Sequence, residues 1–201
     1  MKMELREEGS YSGELRKEWE NILSSSPLPN PFLTPTWNEI WLKHFGSSLA
    51  QKVLVFRDGK RNLVAVGTFI ASEKEKEERG LTLLGSSDVW DYRDLIILPG
   101  WDEQVSRSLA GYFREGPWES LELKGISEFS PTARFFPAFM QSCGFPVEQE
   151  VEEVAVYLNL PTSWEIFLEE LNAKDRHELR RKLRRLEKET TFEISDRKSV
   201  V

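Results

Sequence analysis

The sequence predicts an α/β layered fold: a mixed, largely antiparallel sheet flanked by helices, followed by a C-terminal helical arm. Three observations predict it. Strand-like and helix-like segments interleave in the order strand, helix, helix, hairpin, strand, helix, strand, helix, strand, which a sheet with helices on its faces satisfies. The chain has 201 residues, 39% of them hydrophobic, enough for one ordinary core with an appendage. Beyond residue 160 the pattern changes to two helices, the second strongly basic.

Met1 to Glu7 alternates weakly and reads as a short strand. From Ser12 to Leu23, Leu15, Trp19, Ile22 and Leu23 recur at helical spacing. SSSPLPNP (Ser24 to Pro31) is a loop by composition. Thr34 before Pro35 suits an N-cap and a first-turn proline, and the helix that follows carries Trp37, Ile40, Trp41 and Phe45 to Gly46. KVLVFRDGK (Lys52 to Lys60) turns at Asp58-Gly59, and LVAVGTFIAS (Leu63 to Ser72) returns as the second strand of a hairpin. EKEKEERG (Glu73 to Gly80) reads as a polar loop. LTLLGS (Leu81 to Ser86) and DLIILPG (Asp94 to Gly100) read as strands separated by SDVWDYR.

A helix from Asp102 to Arg114 turns Val105, Leu109, Tyr112 and Phe113 inward. WESLELKG (Trp118 to Gly125) alternates as a strand and, after a helical crossover, should pair in parallel with its predecessor. Ser130-Pro131 opens a helix that Gly144 stops; its ARFFPAFM (Ala133 to Met140) suits a core. FPVEQEVEEVAVYLNLP (Phe145 to Pro161) reads as one long or two short strands closing a domain of residues 1–160. In the arm, residues 161–201, PTSWEIFLEEL is a short helix, AKDRHELRRKLRRLEKET (Ala173 to Thr190) is the basic one, and TFEIS (Thr191 to Ser195) begins a strand.

Lys174 to Glu189 holds eight Lys or Arg against four Asp or Glu, about +4, while the whole chain is -7; the remainder is therefore about -11. A pI near 5.1 argues against nucleic-acid binding over the whole surface, although a basic helix can act locally. Cys143 is the only cysteine, so no internal disulfide forms. The first residues lack a signal peptide's apolar core, and no run approaches a membrane span, so a cytoplasmic protein is expected. His44 and His177 lack neighbours at ligand spacing, so no metal is expected.

Five stretches in order resemble one known family: NPFLTPTWNEIWLKHFG (Asn30 to Gly46), LVFRDGK (Leu54 to Lys60), LLGSSDVWDYRDLIILPG (Leu83 to Gly100), WESLELKGI (Trp118 to Ile126) and LNLPTSWEIFLEELNAKDRHELRRKLRRLEKE (Leu158 to Glu189). They are similar to the acetyltransferase fold of the GNAT superfamily, and in detail to its tandem, FemAB-like and CelD/BioF2-like branch. The resemblance covers nearly the whole chain. It implies an acyltransferase that uses acetyl-CoA or another acyl-CoA and acts on an amine or hydroxyl of a small molecule or glycan precursor. It also implies a first half: TFEIS would begin the second GNAT domain, the expected partner. The isolated half is expected to be inactive.

In a GNAT enzyme the CoA pyrophosphate rests on backbone N–H groups, commonly within R/Q-x-x-G-x-G/A, where the helix after the central strand begins. Here that place reads ILPGWDEQVSRSL. Two carboxylates, Asp102 and Glu103, stand in the first turn, as in an ordinary capped helix, and would repel a pyrophosphate. No CoA is expected to bind this chain alone.

SDVWDYRD (Ser87 to Asp94) is the expected site, and the resemblance at Asp91-Tyr92 and Asp94 strengthens it. As catalytic groups, Asp91 or Asp94 would orient or deprotonate an acceptor amine; Trp90, Tyr92 and Arg93 would bind substrate. The alternative is a β-bulge whose Asp residues bond nearby backbone and whose rings cover the core. On the basic helix, Leu179, Leu183 and Leu186 form an apolar stripe flanked by arginines. Arg176 and Arg180 are expected to bind an anionic group of the acceptor if the helix borders the same cleft. The other reading is a binding module whose basic helix, 174–189, takes an anionic ligand, an RNA or a protein. The absence of interleaved aromatics argues against base stacking.

Overall fold

The computed structural model describes residues 2–7, 13–46, 49–74, 78–85 and 89–193, and the chain divides into two units, Met1–Glu152 and Glu153–Val201. The first unit is a mixed α/β fold whose largely antiparallel sheet is flanked by helices. Its elements are β1 (Lys2–Glu7), α1 (Glu14–Ser24), α2 (Pro35–Phe45), β2 (Ala50–Arg57), β3 (Leu63–Lys74), β4 (Glu78–Leu83), β5 (Ile96–Ile97), α3 (Asp102–Glu115), β6 (Ser120–Glu122) and α4 (Pro131–Ser142). The sheet runs β1-β2-β3-β4-β6, with β5 also on β3. Every pair is antiparallel except β4 with β6.

The sheet is buried on both faces. Leu54 and Phe56 of β2, with Phe69, Leu81, Leu83 and Ile97, pack with Val105 and Leu109 of α3 and with Phe136 and Met140 of α4. Val53 and Val55, with Val66 and Ile96, belong to a second cluster that contains Leu15, Trp19, Ile22 and Leu23 of α1. Alternation within one apolar run thus feeds two cores, as a strand covered on both sides requires. The local caps follow the sequence: Thr34 caps α2 by accepting from Trp37 N–H, and Ser130 caps α4 by accepting from Thr132 N–H.

Several expectations are corrected. The charged run Glu73 to Gly80 is not a loop: β3 extends to Lys74 and β4 begins at Glu78, residues 75–77 lying outside the described ones. The register sets Glu73 opposite Arg79 and Lys74 opposite Glu78, so residues of opposite charge occupy facing positions of the ladder. The β2–β3 connection is a five-residue loop. Asp58 accepts from Lys60 N–H, Asn62 N–H and the Asn62 amide, and the left-handed residue is Arg61 (φ 72°), not Gly59. On α2 the buried face is Pro35, Asn38 and Trp41, while Ile40 and Phe45 are exposed. Buried Asn38 is half satisfied: its Nδ2 donates to Thr34 O within the same turn, while its Oδ1 has no donor among the described residues.

Asp94 to Gly100 contributes only Ile96–Ile97 to the sheet, and β6 pairs in parallel with β4 rather than with β5. Phe145 to Pro161 forms no strand. Its apolar residues alternate, but no ladder takes up its backbone, and Val156 is 94% exposed. Thr191 to Glu193 are not in a strand, and Ile194 and Ser195 lie outside the described residues.

The second unit contains α5 (Trp164–Glu170) and α6 (Ala173–Glu189). Ser163 caps α5 and Asn172 caps α6, each side-chain oxygen accepting an N–H three residues on. Among the described residues Leu168 is the unit's one buried hydrophobic side chain, and α6 buries none. No described helix is long and apolar enough to cross a membrane.

Candidate functional site

The site forms where one strand position is interrupted. β2 occupies one flank of β3, so β4 and β5 share the other. Leu84 N–H still bonds Thr68 O (2.9 Å), and the ladder resumes with Ile96 opposite Val66. Between them the chain leaves the sheet. Of this excursion Ser86, Ser87 and Asp88 lie outside the described residues.

The rest of the excursion is pinned from both sides. Trp90, 4% exposed, stands edge-on to Trp37 and Trp41 at ring distances of 6.4 and 5.9 Å. Gly85 (φ 115°) lies against it; a Cβ there would come within 2.7 Å of the indole. Asn30 Nδ2 donates to Tyr92 O (2.8 Å), holding a non-glycine residue at φ 53°. Asp91 and Tyr92 are exposed, whereas Trp90 and Arg93 point inward.

Arg93 is 6% exposed, and its one hydrogen bond among the described residues is a 3.3 Å contact from Nη1 to Gly85 O. Its buried Nε has no acceptor among the described residues. Burial pushes its pKa down, while Glu152 and Glu122 pull it back up. Gly125 (φ 71°) faces it; a Cβ there would lie 3.3 Å from Nε. Asp94 is enclosed. Its Oδ1 accepts from Leu95 N–H (2.7 Å) and its Oδ2 from the Ser130 hydroxyl. Burial raises its pKa, and those hydrogen bonds oppose the rise.

The structure therefore separates the residues that the sequence groups. Asp91 and Tyr92 face outward, Trp90 belongs to the core, and Arg93 and Asp94 hold the segment's exit. In the second unit, Arg176 Nη1 lies 3.5 Å from Leu168 O and 3.4 Å from Glu169 O, and Arg180 is exposed. No described group of three or more His, Cys, Asp or Glu is placed to hold a metal.

A groove of about 470 Å³ that the sequence did not reveal lies at the start of α3. Helices α3 and α4 run side by side in one direction. Arg107 of α3 sits over the Phe139 ring of α4 (5.9 Å), and Arg114 Nη2 donates to Cys143 O (2.7 Å) at the far ends. Their N-termini open together, and Gly100, Asp102, Glu103, Phe129, Arg134 and Phe135 line the groove. The expected cap of α3 is absent: Trp101 at the N-cap makes no side-chain cap, and Asp102 and Glu103 offset the helix dipole. The Ser130-Pro131 start of α4 was legible in sequence; its closeness to Gly100–Glu103 was not.

No family model matches the sequence, and no curated protein matches it. Solved structures do. An acetyltransferase of Trypanosoma brucei aligns with 77% of this chain and 100% of its own, at 13% identity and a TM-score of 0.42. Mutant forms of the spermidine/spermine N-acetyltransferase of Vibrio cholerae align with 78% of this chain and 87% of theirs, at 17% identity and a TM-score of 0.44. The glucosamine-6-phosphate N-acetyltransferase of Arabidopsis thaliana aligns with 79% of this chain and 100% of its own, at 12% identity and a TM-score of 0.38.

The groove allows a test of fit for an acyl-CoA. A pyrophosphate at the start of α3 would need free amides and no negative charge beside them. Asp102 and Glu103 line that place. Glu103 is paired with Arg107 at 2.7 Å on the surface, which leaves Asp102 unneutralised among the described ion pairs. These residues do not fit the group.

Proposed function

We propose that the unit Met1–Glu152 is the substrate-side and scaffolding half of a GNAT-type, FemAB-like N-acyltransferase. In its complete form this enzyme would pass an acyl group from an acyl-CoA to an amine or hydroxyl of a small molecule or glycan precursor. The motif resemblance supports the reading, as does the order of elements, in which a helix crossover after an antiparallel sheet adds one parallel strand. The observation that carries the half-enzyme assignment is the pair of carboxylates, Asp102 and Glu103, in the first turn of α3. The donor would then be held by a second domain. The acceptor side would be the exposed part of the excursion, where Asp91 offers a carboxylate for an amine and Tyr92 a ring beside it.

Calorimetric titration of the chain with acetyl-CoA tests this. No heat of binding is expected at physiological concentrations; a dissociation constant in the low micromolar range overturns the reading. In a protein carrying the second domain, Asp91→Asn should lower kcat/KM for the acceptor about ten- to a hundredfold, the loss expected for one charge-assisted contact. An unchanged kcat/KM removes Asp91 from the acceptor site.

A further inference from the structure

We propose that residues 153–160 are a dimerisation strand, which pairs antiparallel with the same segment of a second copy of this chain. This goes beyond the acyltransferase reading and does not depend on it. The second unit leaves most of its apolar side chains in water. Leu168 is its one buried hydrophobic residue among the described ones, whereas Val154, Val156, Leu158 and Leu160 are between 62% and 94% exposed. Successive side chains of an extended chain point to opposite faces, so these four share one face. One buried residue makes no core, and a contiguous exposed apolar face of this kind marks an interaction surface.

The backbone is available as well, since no ladder takes up 153–160. Val154 to Leu160 carries no charge and is rich in residues that favour strands. Charged side chains are what usually keep an open strand from pairing with another chain. Here the acids stop short of it, at Glu148, Glu150, Glu152 and Glu153. Pro161, which has no N–H to donate, ends the stretch.

The occupant follows from the order of these residues. In an antiparallel pair centred on position 157, Val154 stands opposite Leu160 and Val156 opposite Leu158, each pair occurring twice by symmetry. All four apolar residues are then matched. Glu153 falls opposite Pro161 and Glu152 opposite Thr162, so no acid faces an acid. A slip of one residue would set the apolar face of one strand against the polar face of the other. A relative shift of two residues would put Leu160 opposite Glu152 in one direction, or Val154 opposite Thr162 in the other. A parallel pair in register would stack Glu150, Glu152 and Glu153 on their own copies, and like charges directly opposite are destabilising. The segment therefore complements itself in one arrangement, which closes on a twofold axis.

The test is sedimentation equilibrium of the full chain at physiological salt, from about 1 to about 200 µM, because a self-associating chain changes its mass with concentration. A reversible monomer–dimer equilibrium is expected, with a dissociation constant in the micromolar range. Three variants fix the interface. Val156→Lys should weaken the dimer at least tenfold. Val156→Lys/Leu158→Glu sets opposite charges across both central pairs, and Val156→Lys/Leu158→Lys sets like charges there. The first double variant should dimerise at least fivefold more tightly than the second. The substituted side chains are exposed, so circular dichroism and thermal unfolding of the dilute monomers should be unchanged. A monomer throughout the concentration range, a dimer indifferent to Val156→Lys, or equal affinities in the two double variants would each overturn the proposal.

Discussion

The hydroxyl of Ser130 donates to Oδ2 of Asp94, thirty-six positions earlier, while its oxygen accepts the Thr132 N–H at 3.0 Å. One side chain thus caps α4 and ties its start to the segment re-entering the sheet at β5.

Ser130→Ala removes both contacts. The lost cap costs about 1 kcal/mol, and an enclosed carboxylate deprived of its donor about 1–3 kcal/mol. Thermal unfolding should shift down by roughly 5–10 °C. Ser130→Thr should recover most of the loss. A shift below about 2 °C would mean that Asp94 is solvated once the hydroxyl is gone.

The pH dependence of Asp94 has a definite sign. Its folded pKa is raised by burial, so between the ordinary Asp value of about 4 and that raised value the folded state holds more protons than the unfolded one. Stability from this group is therefore present at low pH and is lost as pH rises through the folded pKa. Urea midpoints measured against pH, taken as wild type minus Asp94→Asn, should fall across that window and then level off. A difference that rises with pH contradicts the enclosure of the carboxyl.

Arg93 makes the opposite case to Ser130. Among the described residues this buried guanidinium has one 3.3 Å hydrogen bond and no acceptor at Nε, so it gains little to set against its desolvation. Arg93→Met keeps the apolar stem and drops the charge. Chemical denaturation should show a stability unchanged within about 1 kcal/mol, or increased. A loss of 3 kcal/mol or more would show that Glu152 and Glu122 compensate the charge more fully than their positions imply.

Helix α6 should exchange its amides quickly. It buries no residue, and an isolated helix of its length is marginal in water. Hydrogen exchange should give far lower protection for residues 174–190 than for Val53 to Phe56 of β2. Comparable protection in a dilute monomer would mean that the Leu179–Leu183–Leu186 stripe is covered.

Much of this protein was legible one segment at a time. Leu15, Trp19, Ile22 and Leu23 were readable as the buried face of α1 because helical periodicity is a local property. Thr34-Pro35 and Ser130-Pro131 announced helix starts because a cap satisfies amides two or three residues away. The basic character of α6 is likewise written in its residues. Only the tertiary structure decided which strands pair: alternation marks Ser120–Glu122 as strand-prone but does not choose β4 over β5, and it does not give 145–161 a ladder. Nor could spacing bring Ser130 to Asp94, or bury Trp90 and Arg93 while leaving Asp91 and Tyr92 outside. Those outcomes depend on contacts between residues far apart in the chain. Hydrogen-bond register and core volume decide among many such pairings only when all the elements are assembled.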